Sequence, residues 1–91
     1  MLHLNDLIFI DNLPSIDLHG ENSDTARVMI NDFINDNYKQ KKNLFCIVHG
    51  VGSGILRRTT NETLWNHNKV IDFKTYYYNQ GCTVVEIDIE N

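Results

Sequence analysis

Two short stretches of the chain concentrate the residues able to do chemistry. "DLHG" at 17–20 holds Asp17 and His19. "HGVGSGILRR" at 49–58 holds His49, three glycines at alternate positions (Gly50, Gly52, Gly54) and the pair Arg57–Arg58. A neutral imidazole can take a proton from a hydroxyl or a water near neutral pH, and a protonated one can return it. Asp17, two residues from His19, can hold that ring in one tautomer. Glycines ahead of a helix let backbone N–H groups face one point, where the helix dipole adds to their pull on an anion. Arg57 or Arg58 can add a full charge. Phosphate suits such a loop, and two imidazoles, a carboxylate and a phosphate cradle together suit acid–base attack on a phosphodiester. The plainer alternatives are a ligand-free turn for the glycines and a strand-end cap for His19. The spacing departs from the common nucleotide loops: no Lys-Ser/Thr follows the glycines, and no acid stands about 20 residues on at a second strand end. Asp17, His19 and His49 could supply three metal ligands, but no Cys/His spacing matches a structural zinc site, and no metal or cofactor is expected.

These residues must be positioned by short elements. "SIDLHG" alternates apolar Ile16 and Leu18 with Asp17 and His19, a strand period that sets Asp17 and His19 on one face. Asn22 or Ser23 can cap a helix over about 23–38, whose stripe is Ala26, Met29, Ile30, Phe33 and Ile34, and "KQKK" with Asn43 closes it. "LFCIV" at 44–48 is an unbroken apolar run, as in a strand covered on both faces. A second helix is expected at 55–67, then strands at 70–78 and 83–89, with Gly81 turning the chain between them. The order β-α-β-α-β-β predicts a two-layer α/β sandwich with a mixed, mostly parallel sheet. If the first two strands are parallel, His19 and His49 share the carboxyl edge, where open α/β sheets bind ligands. Residues 1–15 are expected to form an N-terminal arm or short strand, and residues 16–91 the domain. The run Tyr76–Tyr78 could stack on bases, although half-buried strand residues are the plainer reading.

Length and composition bound the answer. Ninety-one residues make one domain, with 42% hydrophobic and 22% charged residues. Cys46 and Cys82 lie in apolar runs and read as buried thiols of a cytoplasmic protein. No leader is expected, and no membrane-length apolar run is seen. His3 and His67 lack a chemical context and read as surface residues. A net charge of −4 counts against indiscriminate binding to nucleic acid, but acids gather at the termini and bases in "KQKK", Arg57–Arg58, Lys69 and Lys74, so a local basic patch is compatible with it.

"IDLHG" at 16–20 followed by "HGVGSGILR" at 49–57 resembles the paired motifs of the Smr, or small MutS-related, domain, which are typically "LDLHG" and "HGxGxGxLR". The resemblance runs from about Ile16 to Ile89 and takes in "LWNHNKVIDF" and "GCTVVEI". It implies a compact α/β sandwich similar to the carboxy-terminal domain of a bacterial translation initiation factor. It also implies nicking of DNA or cleavage of RNA, and for some members action on stalled ribosomes. Carried over by position, it points to Asp17, His19, His49, Gly50, Gly52 and Gly54, with Arg57 as a phosphate contact. Two departures are visible: the loop before the last strand, "NQGCT", has one glycine where several are frequent, and Ser53 stands where threonine or a basic residue is frequent. The resulting expectation is a nucleic-acid-binding endonuclease working by histidine acid–base chemistry. RNA is the preferred substrate, because cleavage through the 2′-OH needs no metal; DNA is the second choice, and the ribosome a further partner. The alternative is a non-catalytic module that docks on RNA, a ribosome or a protein.

Overall fold

The computed structural model of the chain describes residues 3, 4 and 12–90. Its elements are β1 (Ser15–Asp17), α1 (Ser23–Lys39), β2 (Leu44–Val48), α2 (Ile55–Trp65), β3 (Val70–Tyr76) and β4 (Asn79–Ile87). The strands form one mixed sheet in the order β1-β2-β4-β3. α1 begins at Asn22, whose side chain accepts the Thr25 N–H at 2.8 Å. Beyond Lys39, the Gln40 and Lys41 N–H groups reach back to the carbonyls of Asp36 and Tyr38, with Lys41 in the left-handed region at φ 60°. Ala26, Ile30 and Ile34, four residues apart, line the buried face of α1. They pack with Leu64 of α2 against Phe45, Ile47, Val85 and Ile87 of the sheet.

The other face of the sheet carries Leu44, Cys46 and Val84, covered by Leu4, Leu13 and Tyr76. "LFCIV" is therefore covered on both faces as its composition requires, the second cover being chain from before β1 and a β3 tyrosine. Leu4 donates its N–H to the Glu86 carboxylate at 2.9 Å, and His3 Nδ1 meets the same carboxylate at 2.7 Å. His3, expected to lack context, is thus the exposed partner of a buried acid. The rest of the expected arm, residues 1, 2 and 5–11, lies outside the described residues. Among the described residues no helix is long and apolar enough to cross a membrane.

The expectation of a mostly parallel sheet is corrected. β1 pairs with β2 in parallel, whereas β2 pairs with β4 and β4 with β3 in antiparallel ladders. β1, β2 and β3 all run one way, but β4 lies between β2 and β3 and leaves a single parallel pair. The cause is the last connection: Tyr77–Tyr78 alone join β3 to β4, and so short a link can only make a hairpin. Gly81 is accordingly not the turn but part of β4, inside an irregularity where consecutive residues Thr75 and Tyr76 pair with Thr83 and Asn79. A second register shift, between Val70 and Asp72, leaves Ile71 exposed.

Candidate functional site

The parallel β1/β2 pair brings His19 and His49 to one edge. The Leu18 N–H donates to the Val48 carbonyl, so the two strands stay in step up to the two His-Gly pairs. There a cleft of about 320 Å³ is lined by His19, Gly20, His49, Leu56, Arg57 and the loop 50–54. It unites His19, His49, the three loop glycines and Arg57. It leaves out Asp17 and Arg58, because one helical step turns Arg58 onto an adjacent, exposed face of α2.

His19 is exposed, and its ring makes no hydrogen bond to the described residues. Asp17 acts on its backbone: Oδ1 accepts the His19 N–H at 2.8 Å, which fixes the turn out of β1. His49 is the opposite case, only 5% exposed. Its Nδ1 meets the Gly50 carbonyl and its Nε2 meets the Thr83 hydroxyl, each at 2.8 Å. A carbonyl can only accept, so Nδ1 carries a hydrogen; in the neutral ring Nε2 then accepts from the Thr83 hydroxyl. Burial pushes the His49 pKa down and the Arg57 charge pushes it the same way, outweighing the Gly50 carbonyl, so the neutral ring is favoured.

Gly54, at φ 84°, is the N-cap of α2 and has no side chain to cap it; the neighbouring Ser53 hydroxyl accepts the Ile55 N–H at 3.4 Å. The first N–H groups of α2 lack helical partners by geometry, and the Arg58 N–H is the first to reach back, to the Gly54 carbonyl. Gly50, at φ 77°, turns its own N–H away from the cleft: it and the His49 N–H both donate to the Gly81 carbonyl. Gly50 thus shapes the loop without serving as a donor to a ligand. Gly52 has no positive φ, and a Cβ there would meet nothing within 4 Å. Arg57, on the first turn of α2, donates to Thr75 Oγ1 at 3.1 Å, which steadies its guanidinium beside the loop.

Sequence reasoning missed Thr83, Thr75 and Gly81. Each acts across the sheet, and only the position of "GCT" ahead of an apolar strand hints at any of them. A Cβ on Gly81 would come within 3.2 Å of the Gly50 Cα, so this glycine lets β4 approach the loop. Burial pushes the Cys46 thiol up to about 11 and raises that of Cys82, with the Asp17 charge adding to the latter, so neither is a ready nucleophile. Among the described residues no group of three or more His, Cys, Asp or Glu converges to hold a metal ion.

Comparison with known proteins gives this arrangement a family. The Smr domain model matches residues 16–88. The protein named endonuclease MutS2 from Clostridium perfringens is 34% identical over 76 residues, which is 84% of this chain and 10% of that protein. Its namesake from Helicobacter pylori is 38% identical over 72 residues, 79% of this chain and 9% of that protein. The chain thus spans about a tenth of the length of these relatives. The crystal structure of the Smr domain of Thermus thermophilus MutS2 superimposes with a TM-score of 0.81 at 23% identity, covering 84% of this chain and 99% of that one. YdaL, a stand-alone small MutS-related protein from Escherichia coli, follows with 0.72 at 20% identity, covering 80% and 63%. With both motifs on one sheet edge and the family match running from Ile16 in β1 past the end of β4, the chain belongs to the Smr domain family.

Proposed function

We propose that this Smr domain is an endonuclease that binds RNA at the carboxyl edge of its sheet and cleaves it by proton transfer at the ribose 2′-OH. One observation carries the reading: the exposed imidazole of His19 shares a cleft with Arg57 and the amino end of α2, whose N-cap is Gly54. The helix end and Arg57 suit a phosphate, and His19 stands beside the place that phosphate would take. His19 removes the 2′-OH proton, the 2′-oxygen bonds to phosphorus, and the bond to the 5′-oxygen breaks; that oxygen takes up a proton from solvent. The product is a 2′,3′-cyclic phosphate. Asp17 positions His19 through its backbone N–H. His49, with both ring nitrogens engaged, positions the glycine loop instead of meeting substrate. The names of the MutS2 relatives support a nuclease. The cytoplasm suits the unpaired thiols Cys46 and Cys82.

A second reading, a binding module without cleavage, is favoured by that same engagement of His49, which leaves one accessible imidazole where acid–base pairs usually need two groups. The deciding experiment incubates the purified chain with labelled RNA, the matching DNA and ribosomes, with and without chelator, beside a His19→Ala control. Cleavage of RNA that His19→Ala abolishes supports the enzyme; tight binding without cleavage under every condition supports the module.

A further inference from the structure

We propose that the hairpin tip Tyr77–Tyr78 is a stacking platform for an unpaired base of RNA, so that the substrate is single-stranded; this rests on the nucleic-acid reading above. Tyr77 is 87% exposed and Tyr78 65%. Neither tyrosine has a positive φ, so the turn makes no demand for Gly or Asn, and its backbone conformation makes none for an aromatic ring either. The rings are ordered against one another. Tyr77 and Tyr78 meet edge to face with centroids 5.0 Å apart, and Tyr78 meets Tyr76 in the same way at 5.6 Å. A platform already ordered loses less entropy when a base lands on it.

Its place follows from the topology. β3 runs in the same direction as β1 and β2, so its carboxyl end lies at the edge that carries His19 and His49. Both strands of the hairpin are tied to the cleft, β3 through the Thr75–Arg57 bond and β4 through the Gly81 carbonyl that receives the His49 and Gly50 N–H groups. From Thr75 to Tyr77 is about 7 Å along a strand, roughly the rise of two stacked nucleotides. A phosphate held at Arg57 therefore sets a neighbouring base within reach of the tyrosines. Every base has a π-face, so such a platform is tolerant of sequence, whereas a duplex keeps those faces stacked on each other.

The test measures binding of the full chain to a short mixed-sequence single-stranded RNA and to its duplex. The Tyr77→Ala/Tyr78→Ala double variant should bind the single strand about 5- to 100-fold more weakly, with duplex affinity unchanged. Tyr77→Phe/Tyr78→Phe should bind like the wild type, since the ring and not the hydroxyl is used. Trp65→Ala should also bind like the wild type, because that exposed ring lies at the opposite end of α2 from the loop. A double alanine variant that keeps its melting temperature and its single-strand affinity overturns the platform, as does a wild type that prefers duplex. A wild type that binds neither form overturns the nucleic-acid reading itself, and the platform with it.

Discussion

The His49 ring and the Thr83 hydroxyl face each other across β2 and β4 at 2.8 Å, 34 residues apart in sequence, while the other ring nitrogen holds the Gly50 carbonyl. One buried imidazole thereby joins the glycine loop to β4, one of the two interior strands of the sheet. In the neutral ring Nε2 accepts the Thr83 hydrogen; a protonated Nε2 would donate to the hydroxyl oxygen instead, so it is burial, not the loss of this bond, that disfavours the charged ring.

A pH dependence of stability follows. The folded-state pKa of His49 is lowered from the ordinary 6.5, chiefly by burial. The unfolded chain therefore takes up its proton first as pH falls. The contribution of the neutral ring is full above about 6.5 and is lost as pH falls from there through the lower folded value. His67, also lowered by burial and by Lys69, acts with the same sign. Urea melts at several pH values should show stability falling below pH 6.5 by no more than about 1.4 kcal/mol per pH unit for each histidine. His49→Ala should flatten part of that slope, and Thr83→Val should cost about 1–3 kcal/mol near neutral pH by leaving Nε2 without its partner. An unchanged slope in His49→Ala would show that this ring is not protected from protonation.

The glycines should separate by conformation. Gly50→Ala and Gly54→Ala place a side chain at φ 77° and 84°, each costing about 1–2 kcal/mol. Gly81→Ala drives a Cβ to 3.2 Å from the Gly50 backbone and should destabilise by about 1–3 kcal/mol. Gly52→Ala has room and no positive φ, so its melting temperature should barely move. Its methyl group stands at the cleft, and RNA affinity should fall all the same. Thermal melts beside binding isotherms for the four variants check the ranking; a Gly52→Ala chain that melts like Gly50→Ala would show a structural role at that position too.

Arg57 and Arg58 are adjacent and chemically identical, and the fold places them differently. Only Arg57 lines the cleft. Arg57→Ala should weaken RNA binding on the order of tenfold and reduce the salt slope by about one. Thr75→Val keeps the charge and removes only its 3.1 Å tether, so the salt slope should stay while affinity falls less. Arg58→Ala should do little to either. Titrations at several salt concentrations measure all three, and equal losses from Arg57→Ala and Arg58→Ala would show that the phosphate is held outside the cleft.

These assignments mark the limit of what was legible in the chain. Periodicity located both helices and all four strands, because that signal is local, but Gly81 did not mark the turn between the last two. The shared edge for His19 and His49 followed from two strands of equal direction joined through a helix. The place of β4 did not follow, since strand order is a non-local choice that the hairpin makes when only Tyr77–Tyr78 separate β3 from β4. Glu86 in an apolar strand gave no hint that His3 and Leu4 would come to it. Nor could the motif show that both His49 nitrogens are spent inside the fold, because one partner, Thr83, lies on another strand. Arg57 and Arg58 differ only in the helical phase at which α2 starts, and that start depends on the conformation of Gly54.

The division between His19 and His49 is the sharpest test of mechanism. His19→Ala removes an exposed ring that bonds to no described residue, so folding and RNA affinity should stay close to wild type while the cleavage rate falls by about 10²–10⁴. Added free imidazole should restore part of that rate. Cleavage by the wild type should leave a 2′,3′-cyclic phosphate and spare RNA carrying a single 2′-deoxy substitution at the scissile position, since no other nucleophile is invoked. A chelator should leave the rate intact. His49→Ala should behave differently, losing stability, affinity and rate together, because its ring holds the loop to β4. If His49→Ala instead keeps its melting temperature and affinity and loses only rate, then His49 meets the substrate directly and the Thr83 bond opens when RNA binds. If cleavage needs metal or proceeds equally on 2′-deoxy substrate, attack through the 2′-OH is wrong, and a water nucleophile must be placed in the same cleft.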